Sequence, residues 1–402
     1  MTTAHAIHPI LRSGRIGSLA LKNRVIKTAT FEGMSPGGMP SERLVELHRT
    51  LAANDVAMTT VAYWAVSPDG RTFGDQMYAR PEVVPALTRL TDAVHGAGGT
   101  ASIQLSHCGH FSRNTQIRGR GPLGPSFALN RYGLMSAVPF GFAMTHAEMN
   151  ATAGDFARAA LLARDAGFDA VELHYGHGYL LSQFLSPASN RRRDEYGGTI
   201  ENRLRFPLLV LRRVREALGA AFPILAKINL SDGFRGGLQV DDAVEVARAL
   251  ERESIDAIVM SGGFTAVTPF FLMRGETPLA DMIDVEKSLL HRLGLRWFGP
   301  RVMRSYPFSE MFFLEDARKV RQAVRVPLVL LGGIVSADNM RQAMDEGFDF
   351  VALGRALIAD PDLIVRIERG ENARTRCIQC NRCVAEIDRD GVRCVLDQPV
   401  RA

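Results

Sequence analysis

The chain of 402 residues lacks several features that would assign it at once to a class of protein. Its first stretch, MTTAHAIHPILRSGRIGS, has neither the basic start nor the apolar run of a secretory signal. No apolar stretch approaches the ~20 residues that are needed to span a bilayer, and no low-complexity tract is present. These absences predict a soluble, cytoplasmic protein without a membrane partner.

Charge of one sign is not concentrated anywhere in the chain either. The net charge of +5 comes largely from arginine, and the basic group Arg191–Arg193 is followed directly by Asp194 and Glu195. This pattern favours a solvated surface over nucleic-acid binding. A modest positive charge suits an anionic cofactor or substrate, but it does not identify one.

Cysteine is scarce outside one segment. Of five cysteines, Cys108 stands alone, which is typical of a loop or packing thiol; the C-terminal segment contains the others, Cys377, Cys380, Cys383 and Cys394. In a chain without a secretory signal, this grouping indicates a metal or iron–sulfur centre and not a disulfide scaffold.

Short apolar runs rich in β-formers alternate with amphipathic stretches that have helical spacing. The eight runs begin at Val25, Val56, Thr100, Ala170, Pro223, Ala257, Pro327 and Phe350. Their lack of strict alternation is typical of parallel strands that are buried on both faces. The count predicts a (β/α)8 TIM barrel, whereas the alternative, a doubly wound sheet, would not demand eight units.

The same pattern predicts the domain organisation. Two long connections, from Cys108 to Thr145 and from Phe264 to Pro307, follow strands and would lie at the C-terminal face of the barrel, where barrel enzymes build their sites. We therefore predict a barrel over residues 1–370 and a short Cys-rich tail over 371–402.

Polar residues cluster where the predicted strands end, and a barrel would bring them to one rim. Gln104 and His107 follow the third strand, His174 and His177 the fourth, and Lys227 the fifth. A lysine in the apolar run ILAKINL is costly unless it meets an anion or an acceptor-rich ring. The alternative is a structural pair with a barrel carboxylate such as Glu172.

The seventh and eighth turns are typical of a phosphate site. Gly332 and Gly333 precede a helix N-terminus, Gly354 permits close approach, and Arg355 can make a bidentate contact. The loops after strands seven and eight are the usual phosphate site of TIM barrels. A phosphate-bearing cofactor is therefore favoured over glycines that serve only as turns.

The chain resembles the Old Yellow Enzyme family of FMN-dependent oxidoreductases. The resemblance runs from about Leu11 to Leu363 and depends on LKNRVIKTAT, IQLSHCG, HYGHGYLLSQFLSPASNRRRDEYGGTIENRLRF, LLGGIVS and ALGRALIADPDL. It implies an FMN barrel that takes hydride from NADH or NADPH and passes it to an activated alkene, an enone or enoate, or to a related acceptor.

The resemblance also implies roles for individual residues. The residues expected to hold FMN are Thr28, Ala29, Thr30, Ala62, Gln104, Lys227, Gly332, Gly333, Gly354 and Arg355. His174 and His177 match the pair that binds a substrate carbonyl, and Tyr179 matches the proton donor. Phe31 and Glu32 depart from the first-strand motif, and His110 replaces an arginine that relatives commonly carry.

This chemistry is reasonable on physical grounds. Hydride delivery to an enone builds negative charge on the carbonyl oxygen, which two imidazole donors can stabilise, and a phenol can supply the proton. Taken without the resemblance, His174 and His177 could equally form a metal site or two hydrogen-bonded core histidines.

The run CIQCNRC with a distant fourth cysteine resembles the iron–sulfur segment of the 2,4-dienoyl-CoA reductase and trimethylamine dehydrogenase group, of which this chain resembles the barrel half. Four thiolates could hold a [4Fe–4S] cluster or zinc, or could stay free. A cluster would exchange single electrons with a separate partner protein.

Three functions remain open at this point. The first is an FMN-dependent ene-reductase, and the second is an amine-type dehydrogenase that passes electrons from FMN through the cysteine centre. The third is a barrel that binds metal through its histidines and acts as a hydrolase or binding module. Barrel relatives often pair, so a homo-oligomer is also expected.

Overall fold

The computed structural model describes residues 7–117 and 119–396. The first six residues of the predicted barrel segment and the last six residues of the predicted tail lie outside the described residues. Within the described residues, no helix is long and apolar enough to cross a membrane.

Eight parallel strands close into a barrel, as the sequence predicts. They occur in chain order around the ring, and the eighth pairs with the first. The barrel strands are β3 (Val25–Lys27), β4 (Met58–Ala65), β5 (Thr100–Ser106), β9 (Ala170–Tyr175), β10 (Ile224–Asn229), β11 (Ala257–Ser261), β12 (Leu328–Leu331) and β13 (Phe350–Leu353). The (β/α)8 fold is confirmed.

Helices between the strands form the outer layer. Ser41 caps α1 and Ser336 caps α10, each accepting a backbone N–H with its hydroxyl, as their positions in the sequence predict. The α-helices are α1 (Glu42–Ala53), α2 (Val84–Gly96), α3 (His146–Asp165), α4 (Leu180–Leu185), α5 (Ile200–Leu218), α6 (Val240–Arg252), α7 (Leu279–Val285), α8 (Leu289–Val302), α9 (Leu314–Ala323), α10 (Ala337–Asp345), α11 (Arg355–Ala359), α12 (Leu363–Glu368) and α13 (Arg382–Glu386).

The core has two layers because the strands are buried on both faces. Ile26, Met58 and Val259 belong to a smaller cluster inside the barrel, and a larger cluster joins the strands to the helices. A hairpin of β1 (Gly14–Ile16) and β2 (Leu19–Leu21) adds Ile16 and Leu21 to the inner cluster. The hairpin therefore extends the barrel interior with side chains from the N-terminal segment.

Both long connections contain secondary structure of their own. The connection after β5 carries a three-stranded sheet of β6 (Leu123–Gly124), β7 (Ala128–Leu129) and β8 (Phe140–Ala143), and the connection after β11 carries α7 and α8. Both follow barrel strands and therefore lie on the C-terminal face.

The described part of the Cys-rich tail packs on the barrel. The backbone N–H of Thr375 donates to the carbonyl of Val335 at 2.9 Å, and that of Val392 donates to the carbonyl of Glu32 at 2.7 Å. Gly391 approaches Met34 so closely that a Cβ on the glycine would lie 2.4 Å from its side chain. The division at residue 370 remains a prediction, and the structure attaches the two segments by these contacts.

Candidate active site

Lys227 is completely buried at the centre of the site. Its ammonium lies 3.0 Å from Oε1 of Glu172 and donates to the hydroxyl of Thr28 at 2.9 Å. The pair with Glu172 that the sequence left as an alternative is therefore formed. Burial lowers the pKa of Lys227, and Glu172 acts in the opposite direction. Lys227 also lines a cavity, so the same ammonium can face a bound group.

Gln104 joins this pair from the neighbouring strand. Its side-chain amide donates to Oε1 of Glu172 at 2.7 Å, and the two residues are register partners on β5 and β9. Lys227 is the register partner of His174 on β9. Three adjacent strands thus bring an amide, a carboxylate and an ammonium together.

The cavity beside Lys227 collects most of the predicted cofactor residues. Its lining includes Thr28, Ala29, Thr30, Lys227, Gly332, Gly333, Gly354 and Arg355. Ala62 instead lines a neighbouring cavity, and Gln104 lies buried behind Glu172. The structure therefore brings eight of the ten predicted residues to one cavity.

The two glycines after β12 have backbones that few other residues adopt. Gly332 has φ of 102° and Gly333 has φ of 74°. A Cβ on Gly332 would lie 2.5 Å from the ring of Phe313, and one on Gly333 would lie 2.7 Å from the backbone nitrogen of Met311. Glycine is thus required at both positions for conformation and for space.

Arg355 is the first residue of α11, where backbone N–H groups have no intrahelical acceptor. Its guanidinium donates to the carbonyl of Arg274 at 3.1 Å and contacts the side chain of Asn381 in the tail. Burial lowers the pKa of Arg355, and the nearby thiols of Cys377 and Cys383 raise it. Arg355 therefore lies between the glycine turns and the cysteine loop.

His174 and His177 form a hydrogen-bonded chain with two serines. Nε2 of His174 lies 3.0 Å from Nδ1 of His177. Their outer nitrogens contact Ser106 at 3.2 Å and Ser261 at 2.7 Å. A neutral imidazole has one N–H, so every bond of such a chain points in one direction. The pair can therefore donate one N–H to a bound acceptor. That N–H is the one that now lies between the two rings.

Both imidazoles are neutral at physiological pH. Burial lowers the pKa of His177 to about 3, and it lowers that of His174 well below the usual value, with smaller contributions from His177 and Lys227. His177 itself has φ of 62°, and the side chain of Asn229 accepts its backbone N–H at 3.0 Å.

Tyr179 lies next to the histidines. It immediately precedes α4, and its ring centroid is 4.4 Å from that of His174 and 5.1 Å from that of Tyr63. Burial, followed by Tyr63, raises the pKa of Tyr179 well above its usual value. The phenol is therefore protonated at neutral pH and can act as a proton donor.

A second buried ion pair was not predicted from the sequence, although Glu32 was noted as a departure from the family motif. Lys27 contacts the carboxylate of Glu32 between β3 and α1, where both side chains are almost fully buried. The other carboxylate oxygen accepts the backbone N–H of Ala62 at 3.1 Å, and His48 lies 3.6 Å from the first. A lysine in the apolar run VIKTAT was the available signal, the same one that identified Lys227.

The four C-terminal cysteines are free thiols on one loop and the segment after it. Gln379 and Asn381 have φ of 58°, so the loop turns between its cysteines. Asn381 anchors it by donating to the carbonyls of Met273 at 2.6 Å and Glu276 at 2.8 Å. Burial raises the pKa of Cys383 to about 12, and the other three thiols act on it. The four thiols thus lie within electrostatic range of one another.

Among the described residues, one group of potential metal ligands has its atoms within 4.8 Å of one another: His146, Asp194 and Glu195. All three are exposed. Exposed acidic groups of this kind are common on protein surfaces, so the group carries no assignment.

Comparison with known proteins places these features in a family context. The family described as NADH:flavin oxidoreductase / NADH oxidase matches residues 10–269 and 278–374. A 4,4'-dithiodibutanoate disulfide reductase of Rhodococcus erythropolis is 42% identical over 98% of this chain and 96% of its own length. A metal reductase of Desulforamulus reducens is 30% identical over 92% of this chain but only 50% of its own length. The chain thus spans nearly all of one relative and about half of the other.

Solved structures share the fold. An Old Yellow Enzyme homologue from Zymomonas mobilis superposes with a TM-score of 0.70, covering 92% of this chain and 95% of the other, at 22% identity. Morphinone reductase superposes with a TM-score of 0.69, covering 93% and 92%, at 24% identity. At these identities the likeness shows the barrel fold.

The buried histidines predict a loss of stability in mild acid. Burial lowers the pKa of His107 and of His110 to about 4, whereas an unfolded histidine titrates near 6.5. Between these values the unfolded state binds more protons, so the free energy of unfolding falls as the pH falls. Replacing His110 by Gln should reduce this fall between pH 7 and pH 5.5 by about 1 kcal/mol. Urea unfolding at both pH values measures the difference, and an equal fall in the variant would contradict the assignment.

Proposed function

The chain belongs to the NADH:flavin oxidoreductase / NADH oxidase family and is an FMN-dependent NAD(P)H oxidoreductase; we propose that it reduces small organic acceptors at His174, His177 and Tyr179. The observation that carries the proposal is that His177 lines the cavity with Lys227, while His174 bonds to His177 and Tyr179 packs on His174. Overall, NAD(P)H and one proton reduce an activated alkene to the saturated product.

We assign FMN to the cavity beside Lys227. Its residues fit the cofactor: Lys227 supplies a buried cation, and Gly332 and Gly333 line the cavity without side chains of their own. The first N–H groups of α11 and the guanidinium of Arg355 suit a phosphate. Thr28, Ala29 and Thr30 line the same cavity, whereas Ala62 lines the neighbouring cavity and Gln104 lies behind Glu172.

Bound FMN supplies two-electron chemistry between NAD(P)H and the acceptor. The protein binds the acceptor with the N–H between His174 and His177, released as their mutual bond opens. Ser106 and Ser261 hydrogen-bond to the outer nitrogens of His174 and His177. A change of tautomer in one histidine therefore goes with the same change in the other. Tyr179 donates a proton to the reacting carbon from a phenol that burial keeps protonated.

A disulfide is a second acceptor class, and one observation favours it. The Rhodococcus erythropolis relative, which matches the chain almost end to end, is named for a disulfide substrate. NAD(P)H and one proton reduce a disulfide to two thiols, so the electron count matches that of alkene reduction. The same N–H and phenol can stabilise a leaving thiolate by donating hydrogen bonds to it, and water supplies its proton.

We propose that Cys377, Cys380, Cys383 and Cys394 hold one centre. The shared electrostatic range of the four thiols supports this, as does the loop that Asn381 anchors. The centre is either a [4Fe–4S] cluster or zinc, since four thiolates can hold both. A cluster would allow the amine-type alternative with an electron-transfer partner. A homo-oligomer also stays a prediction.

Replacing Tyr179 by Phe tests its role as proton donor. The variant should keep its rate of flavin reduction by NADPH, and its reoxidation by 2-cyclohexenone should slow by ~10²–10⁴-fold because the general acid is lost. Reoxidation by a quinone, which needs no carbon protonation, should change little. Stopped-flow absorbance separates the two half-reactions, and Tyr196→Phe, at a tyrosine whose ring packs on His146, is the control. An unchanged cyclohexenone rate would assign the proton to another donor.

Replacing Cys380 by Ser tests the shared centre. Protein purified without oxygen should contain iron and sulfide, or zinc, at one centre per chain, and the variant should lose that content. Cys108→Ser should keep it, because Cys108 is buried among aromatic residues away from the tail. Absence of iron, sulfide and zinc from fresh wild-type protein would refute the centre.

A further inference from the structure

A second cavity, of about 330 Å³, opens beside the proposed reaction site. Its lining comes from parts of the chain that are far apart in sequence: Phe31 after β3, Tyr63 near the end of β4, Arg113 in the connection after β5, Lys287 before α8 and Ile387 in the tail. It therefore lies at the C-terminal face, between the end of β4 and the loops of that face.

Six aromatic side chains connect this cavity to the histidines. We call this set of side chains the aromatic circle: Phe31, Tyr63, Phe73, Phe111, Tyr132 and Tyr179. On one side, Tyr179 contacts Tyr63 at 5.1 Å between centroids, Tyr63 contacts Phe31 at 5.3 Å, and Phe31 contacts Phe73 at 5.3 Å.

The other half of the aromatic circle also begins at Tyr179. Tyr179 contacts Phe111 at 6.1 Å, and Phe111 stacks on Tyr132 at 4.3 Å. Arg113 closes the circuit, since its guanidinium carbon lies 5.7 Å from the centroid of Phe73 and 5.4 Å from that of Tyr132. Tyr179, the proposed proton donor, and the guanidinium of Arg113 thus lie on opposite sides of the aromatic circle.

Arg113 is a half-buried cation whose guanidinium contacts are these two aromatic faces. Among the described residues no carboxylate forms an ion pair with it, and its backbone N–H is used by the carbonyl of Thr72. Aromatic faces orient a guanidinium and leave its N–H edge for a planar anion such as a carboxylate.

Three carboxyl groups also line the cavity, and each is accounted for. Asp75 is exposed, so water screens it. Glu286 accepts the backbone N–H of Ser288 at 2.8 Å. Burial raises the pKa of Asp388 and so favours its neutral form, and the charge of Arg113 acts in the opposite direction. Lys287 adds a second cation at the rim.

We propose that Arg113 binds the carboxylate of the acceptor, so that the enzyme selects small organic acids whose disulfide or double bond reaches Tyr179. The inference rests on the proposed function, because it takes the reacting atoms to lie at His174, His177 and Tyr179. The part of the acceptor between its reacting bond and its carboxylate would cross the aromatic circle, where its methylene groups pack on apolar faces. The carboxylate would then lie at the guanidinium of Arg113.

The test compares an acid with its neutral ester. Wild-type holoenzyme, with NADPH as reductant, should show a lower KM for 4,4'-dithiodibutanoate than for its dimethyl ester. Arg113→Gln should raise the KM for the acid roughly 10–100-fold, as expected for a lost charge-assisted bond, with kcat little changed. The KM for the ester should stay the same.

Arg120→Gln is the matched control, since Arg120 is an exposed arginine in the same connection that pairs with Glu148 at 2.7 Å. It should leave both KM values unchanged. Equal increases for acid and ester in Arg113→Gln, or no increase for either, would overturn the carboxylate contact. Reduction of 2-cyclohexenone without reduction of either disulfide would overturn this substrate class but not the proposed function. No reduction of any of the three would overturn both.

Discussion

The buried ammonium of Lys227 is the constraint on which the site depends. Burying a lone ammonium costs several kcal/mol, so the position requires partners that remain in place. Glu172 and Thr28 provide them, and Gln104 holds Glu172 from the other side. Gln104, Glu172 and Lys227 come from adjacent strands and Thr28 follows β3 across the barrel, so the closed barrel fixes their distances. The cation in turn helps to keep His174 and His177 neutral.

The loops of the C-terminal face complete what the strands begin. The connection after β11 and the tail meet at Gly275, where a Cβ would lie 2.1 Å from the carbonyl oxygen of Gln379. Asn381 binds both this connection and Arg355. The proposed phosphate site and the cysteine loop are therefore neighbours. We expect a structural change in one to alter the other through the contacts of Arg355.

The sequence predicted those features that depend on local pattern. The eight strands were found because parallel strands buried on both faces read as continuous apolar runs, and the strand-end residues converge because a barrel places all such ends on one rim. Hydrogen-bonded histidines were one alternative for His174 and His177, but the Lys27–Glu32 pair and the aromatic circle were not foreseen. The circle joins segments that are distant in the chain, and no spacing rule encodes such contacts. The Lys27–Glu32 pair is local, but the sequence alone does not show that both side chains are buried together. The hairpin of β1 and β2 was missed because its strands are only three residues long.

The central claim is that the Lys227 ammonium acts on the proposed cofactor and is more than a structural partner of Glu172. The direct measurement is the two-electron midpoint potential of the bound flavin in Lys227→Met, compared with wild-type protein at pH 7. The account predicts a more negative potential, because a buried positive charge that favours the electron-rich form is removed. A potential that is unchanged or more positive would contradict it.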